Sequence, residues 1–283
     1  MINPTQLKIA FIGGGNMASA MLSGLIQNGL DPKNLLAIDP SESARELLIQ
    51  KYHITTQADI QSSKNFLNTA SLIVLSIKPQ QMKEALKVLN TVLQEFVDSQ
   101  RLILSIVAGV RLIDIEKYLN NARIVRAMPN TPALIQKGVT GLYRGNSVKK
   151  ADVELIEVVN RAIGHFVWVD QEELLDIVTA LSGSGPAYVF SFIENLIESG
   201  CSLGLTYEQA KLLATQTIMG AGELAYQSME SPSTLREKVT SKGGTTFAAL
   251  EVLRENQWGH SLQEAVKAAA KRAKELGDEF SQP

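Results

Sequence analysis

Lys8-Ile9-Ala10-Phe11-Ile12-Gly13-Gly14-Gly15-Asn16-Met17-Ala18 is the stretch that decides the fold. The apolar run Ile9–Ile12 has no polar alternation, as a strand covered on both faces requires. It enters a glycine turn, and the helical pattern Met17–Gln27 follows. Gly13, Gly15 and Ala18 fit the spacing G-x-G-x-x-A. Gly13 permits the tight turn, Gly15 lets backbone approach a pyrophosphate, and Ala18 lets the helix pack closely on the strand. The amides of Asn16 and Met17 then open a helix whose N-terminus faces phosphate. A glycine triplet can also be a plain turn. Here the strand before it, the helix after it and a second strand, Leu35–Ile38, ending at Asp39 favour dinucleotide binding.

Asp39 in this place bonds a ribose 2′-hydroxyl and repels a 2′-phosphate, which points to NAD. Ser41 and Ser43, with Arg45 nearby, offer the opposite, two hydroxyls and a guanidinium for that phosphate. Ser41 reads equally well as the cap of the next helix. The residues leave NAD and NADP both open.

Outward from the turn, apolar runs at Leu72–Ile77, Arg101–Val107, Arg123–Ala127, Val139–Tyr143 and His165–Val169 alternate with helical patterns such as Glu42–Gln50 and Gln80–Glu95. That alternation predicts an α/β Rossmann fold, a doubly wound and mainly parallel sheet. After Asp170 the periodicity becomes helical throughout, over Glu172–Leu181, Ala187–Ser199, Tyr207–Tyr226, Thr246–Glu255 and Ser261–Leu276. We therefore expect a dinucleotide-binding domain over 1–169 and an all-α domain over 170–283. The alanine-rich helix through Ala221–Tyr226 suits tight packing, in a subunit interface or in a monomer core.

Composition narrows the chemistry. The 283 residues carry 27 Lys plus Arg against 29 Asp plus Glu, a net charge of −2. Nucleic acid and anionic membrane surfaces call for a clustered basic excess, so neither is expected as partner. No apolar stretch reaches the roughly 20 residues of a membrane span. The first residues read as no targeting segment, and a cytoplasmic protein is expected. One cysteine, Cys201, excludes an internal disulfide framework. It and His53, His165 and His260 form no metal-ligand spacing, so no metal is expected. The three histidines read as structural. A chain this poor in nucleophiles and proton shuttles leaves hard chemistry to a cofactor.

Two glycine-rich stretches open helices in the second half. Ser182-Gly183-Ser184-Gly185-Pro186-Ala187 places Pro186 at a first helical position, with free amides before it, and Ser241-Lys242-Gly243-Gly244-Thr245-Thr246 has the same logic. Each can be an ordinary interhelical turn. Beside a dinucleotide domain, together they read as anion sites for a substrate carboxylate. On the sheet side, Ser76-Ile77-Lys78-Pro79 and Met128-Pro129-Asn130-Thr131-Pro132 each follow a strand, where such sheets bind ligands. Lys78, Pro79 and Asn130 are accordingly candidate cofactor contacts, although Lys78 also suits a solvated surface.

Taken together, IGGGNMA, SIKP, SIVAGV, RAMPNTP, LSGSGPAYVF and SKGGTTFAALEVL resemble the Δ1-pyrroline-5-carboxylate reductase family, in its order and over nearly the whole chain. The resemblance implies the last step of proline biosynthesis, in which hydride from NAD(P)H reduces a cyclic imine to L-proline. It implies NADPH as cofactor, with NADH as the alternative that Asp39 raises, spread over Gly13–Ala18, Lys78 and Pro79. It implies that the helical domain interlocks with a partner's, and that such dimers assemble further. The substrate would lie between the sheet's edge and the helical domain, touching Ser184 and Gly185. Its carboxylate would sit near Gly243, Gly244, Thr245 and Thr246, and Thr246 would stand at the imine nitrogen as the candidate catalytic residue. Lys242 departs from the proline common there.

Two other classes remain in view. A β-hydroxyacid dehydrogenase opens with a similar turn, but its family carries a lysine four residues after the second glycine of a G-x-G pair. Four past Gly185 is Val189. A non-catalytic nucleotide sensor on the same fold would not need both substrate loops.

Overall fold

The computed structural model describes residues 7–96, 100–119 and 122–281. Eight strands form one sheet: β1 (Ile9–Ile12), β2 (Leu35–Ile38), β3 (Thr55–Gln57), β4 (Leu72–Leu75), β5 (Leu102–Ser105), β6 (Arg123–Met128), β7 (Gly138–Arg144) and β8 (Gly164–Trp168). Their order is β3-β2-β1-β4-β5-β6-β7-β8. Every neighbouring pair is parallel except β6 with β7. The order reverses beside β1, between β2 and β4, which is where doubly wound sheets open a ligand crevice.

The interleaved helices are α1 (Asn16–Gln27), α2 (Glu42–Tyr52), α3 (Lys64–Thr69), α4 (Pro79–Gln94), α5 (Leu112–Glu116), α6 (Lys150–Arg161) and α7 (Leu174–Val178). Alternation along β1 explains the two cores. Ile9 and Phe11 join Met21, Leu22 and Leu25 of α1 on one face, while Ala10 and Ile12 join Met82, Leu86 and Leu89 of α4 on the other. Both faces are covered, so the strand is apolar at every position. Each fully buried Leu or Phe contributes about 2–3 kcal/mol.

Several elements were not expected. β3 is three residues, Thr-Thr-Gln, at the sheet edge and none is buried, so it carries no apolar signal. The helices α3, α5 and α6 also went unread; α6 turns Leu155, Ile156 and Val159 into the core.

The remaining helices are α8 (Gly185–Ser202), α9 (Tyr207–Gln227), α10 (Pro232–Lys238), α11 (Thr245–Glu255) and α12 (Trp258–Ser281). His260 therefore lies inside α12, which starts at Trp258 and not at the expected Ser261. The compact units divide after Ser184 rather than at the expected 169/170: one runs to Ser184 and resumes at Ala269, and the other is Gly185–Ala268. The physical reason is that α7 packs on the sheet. A Cβ on Gly141 of β7 would lie 2.6 Å from Val178 Cγ1. The end of α12 is tied to the sheet unit as well, through Arg111 to Asp278 at 3.1 Å and Ser281 to Asp114 at 2.6 Å.

In the Gly185–Ala268 unit, α8 and α9 pack as a pair, with Ala210 Cβ 3.0 Å from where a Cβ on Gly200 would sit. α8 and α11 bury no residue, and α9 buries only Ala210 and Ala214. Phe190, Leu212, Met219 and Leu224 are all more than half exposed.

Candidate active site

Gly13 takes φ 102°, and its amide donates to the Ile38 carbonyl of β2 at 2.8 Å. On the other side, a Cβ there would lie 2.5 Å from the Ser76 carbonyl oxygen after β4. Only glycine fits both demands. The Ser76 hydroxyl straps the turn, donating to the Ile12 and Gly13 carbonyls at 3.0 and 2.8 Å. Ser76 was missed as a site residue; its position next to Lys78-Pro79 was the only signal.

Gly15 is the N-cap of α1, and no side chain caps the helix. Nothing lies within 4 Å of an added Cβ at Gly15. The first amides of α1, with exposed Asn16 at its start, have no side-chain cap at this helix N-terminus, which fits a dinucleotide pyrophosphate. Pro79 begins α4, with exposed Lys78 as its N-cap.

Asp39 faces the same turn. Its Oδ2 accepts from the Gly14 amide at 2.8 Å and its Oδ1 from the Ser41 amide at 2.9 Å. The residues that could hold a 2′-phosphate also bond locally. Ser41 caps α2, accepting from the Ala44 amide at 3.3 Å and sharing a hydroxyl bond with Ser43 at 3.0 Å. Arg45 Nη1 donates to the carbonyls of Asp39 and Pro40 at 2.8 and 3.0 Å.

Asn130 does not present its side chain to a ligand. It is buried, donating through Nδ2 to the Ser182 carbonyl at 3.1 Å and accepting through Oδ1 from the Val139 amide at 2.9 Å. The expected open helix start at Ser182–Pro186 also differs. Thr179–Gly183 winds a π turn that continues α7, and the Ser184 amide donates to the Thr179 carbonyl at 2.8 Å. That amide is spent, so Ser184 has only its hydroxyl to offer. α8 starts at Gly185, and Pro186 is its second residue.

The second loop opens a helix without a side-chain cap. Gly243 takes φ 73°, and Gly244 is the uncapped N-cap of α11, which starts at Thr245, one residue earlier than read. Thr246 is half-buried in the first turn of α11, and Gly243, Lys242 and Thr245 are exposed. A Cβ on Gly244 would meet Ser241 Oγ at 2.4 Å.

No group of three His, Cys, Asp or Glu among the described residues is placed to hold a metal, and none of their helices is long and apolar enough to cross a membrane. The sheet order, the strapped glycine turn and Asp39 define a dinucleotide-binding domain of the Rossmann class. Residues 172–276 match the pyrroline-5-carboxylate reductase dimerisation family, and residues 8–109 match the NADP oxidoreductase, coenzyme F420-dependent family. A pyrroline-5-carboxylate reductase of Pasteurella multocida is 38% identical, over 95% of this chain and 97% of its own length. The structure of one from Coxiella burnetii aligns with TM-score 0.88 at 40% identity, covering 95% of this chain and 98% of the other. One from Plasmodium falciparum with NADP bound aligns at 0.84 and 29%, covering 96% and 99%. The chain belongs to the pyrroline-5-carboxylate reductase family, NAD(P)H-dependent oxidoreductases of proline biosynthesis.

Proposed function

We propose that this chain reduces Δ1-pyrroline-5-carboxylate to L-proline, with Thr246 at the substrate nitrogen and NADH preferred over NADPH. The supporting observation is a pair of helices, α1 and α11, that each begin at a glycine with no side-chain cap. One such end suits a pyrophosphate and the other a carboxylate. The bound nicotinamide would supply hydride. The chain's own task is then to bind and orient. Gly13, Gly15, Asn16, Met17 and Ala18 hold the dinucleotide, with Lys78 and Pro79 bordering the crevice. Gly243, Gly244, Thr245 and Thr246 hold the carboxylate, and the Ser184 hydroxyl and Gly185 add substrate contacts. A threonine hydroxyl does not titrate near neutrality, so Thr246 acts as a hydrogen-bonding partner to the ring nitrogen and not as a strong acid.

The preference for NADH rests on Asp39. Its carboxylate lies against the turn at Gly14, while Arg45 and Ser41 are bonded to backbone. A 2′-phosphate would meet the Asp39 charge beside a guanidinium already bonded through Nη1 to backbone and a hydroxyl already capping a helix. A second copy of the chain would cover the apolar faces of α8, α9 and α11 in an interlocked dimer, the unit of any larger assembly. The near-balance of charge suits a cytoplasmic enzyme of a small substrate.

Purified protein should oxidise NADH only when pyrroline-5-carboxylate is added, with kcat/KM about tenfold higher for NADH than for NADPH. Asp39→Ser should reverse that ratio, and fluorescence titration should show tighter NADPH binding without substrate. Turnover driven by hydroxyacids and not by the imine would refute the activity. An unmoved cofactor ratio would refute the role of Asp39.

A further inference from the structure

We propose that Asn130 is a positioning residue that supplies the hydrogen bond missing at Pro186 and thereby fixes the turn carrying Ser184. A helical chain passing Ser182 would satisfy its carbonyl with the amide four residues ahead. That residue is Pro186, which has no amide hydrogen. The donor comes instead from 52 positions earlier in the chain, as Asn130 Nδ2 at 3.1 Å. The opposite end of the carboxamide accepts the Val139 amide at 2.9 Å, so the group can sit only one way round. Flipping it would set oxygen against the Ser182 carbonyl and NH2 against an N–H.

The turn that Asn130 holds is wider than an α-helical one. The Ser184 amide reaches back five residues to Thr179, and the hydroxyls of Thr179 and Ser182 donate to the carbonyls of Leu175 and Val178 at 2.7 and 3.0 Å. Hydroxyls bonded this way loosen a helix, and π turns of this kind gather at functional sites. The end of β6 touches the turn a second time, because a Cβ on Gly183 would lie 2.8 Å from Met128 Cε. Met128 sets the approach and Asn130 sets the rotation. Two stretches far apart in sequence, Met128–Asn130 and Ser182–Pro186, are thus halves of one device. It rests on the reading that Ser184 and Gly185 touch substrate.

The test uses the full-length protein. Asn130→Asp keeps an acceptor for Val139 and loses the donor to Ser182, and Asn130→Ala loses both. Either should raise KM for the imine about tenfold, with kcat and the dissociation constant for NADH changed less than about twofold. Pro186→Ala returns an amide at 186, so in the double variant it should recover a large part of that loss, a coupling that independent sites would not give. If Asn130→Ala does not fold, the Asp variant carries the same cycle. Weakened NADH binding would make Asn130 a cofactor contact, and an unchanged KM or strictly additive double variant would equally overturn the proposal. Ser184→Ala separates the two layers. If it leaves KM unchanged, the substrate role of the turn fails. If it raises KM while Asn130→Asp does not, the positioning role alone fails.

Discussion

Gly13 and Gly15 stand two residues apart and answer different demands. An added Cβ at Gly13 meets Ser76 O at 2.5 Å on a backbone with φ 102°, whereas one at Gly15 meets nothing within 4 Å. Gly13→Ala should therefore lower stability by about 2–4 kcal/mol in urea denaturation. Gly15→Ala should cost within about 1 kcal/mol, the price of a poorer N-cap, yet weaken dinucleotide binding measurably. Equal losses of stability would refute the distinction. Thr246, in the first turn of α11, is the residue proposed to stand at the substrate nitrogen. Thr246→Ala should reduce kcat/KM by about 1–3 kcal/mol of transition-state stabilisation, with NADH affinity intact. Unchanged steady-state kinetics would remove it from the site.

At the level of elements, a polar cluster joins α5, β6, α7 and α12. Glu172 Oε1 accepts from both Arg126 Nη1 and the Leu112 amide at 2.6 Å, and Arg111 lies 3.7 Å from Asp176 on α7. Burial pushes the Asp176 carboxyl above the ordinary range, aided by Asp278 and Glu172, and outweighs the lowering by Arg111 and Arg126. Burial raises Glu116 too, with Glu172 adding repulsion. An acid whose pKa rises on folding binds its proton more tightly when folded, so its contribution is present at low pH and lost as pH rises past the ordinary carboxylate range. Asp176→Asn cannot ionise. Its stability relative to the parent should accordingly improve between about pH 4 and pH 7 in denaturant titrations; a relative decline would show that the guanidiniums win. The glycine turn and the strands around it were legible because burial on both faces leaves continuous apolar runs. β3 was not, being three polar residues that need the neighbouring strand to define them. The π turn was read as a free helix start because glycines and a proline signal exactly that locally, while Asn130 and Met128 decide otherwise.

For the molecule as a whole, the unit Gly185–Ala268 carries too little core of its own. Its helices expose Phe190, Leu212, Met219 and Leu224, and a match to a dimerisation family runs over the same helices. Large apolar side chains left exposed on these helices suit an oligomer interface. Met219→Asp with Leu224→Asp should convert a dimer or larger assembly into monomer at micromolar concentration in sedimentation velocity, with activity falling in step. An already monomeric parent would refute the interface.

Sequence by itself determined the apolar strands buried on both faces, the glycine turn and the acid at the end of β2, because each depends on neighbours within a few residues. Tertiary structure decided where the polar groups spend their hydrogen bonds. Arg45 and Ser41 bond to backbone beside Asp39. Asn130 spends its side chain on the Val139 amide and on the Ser182 carbonyl, far from it in sequence. α12 returns to the sheet unit at Arg111 and Asp114. A side chain's partner is set by what folding brings within 3 Å, and no local pattern records that distance.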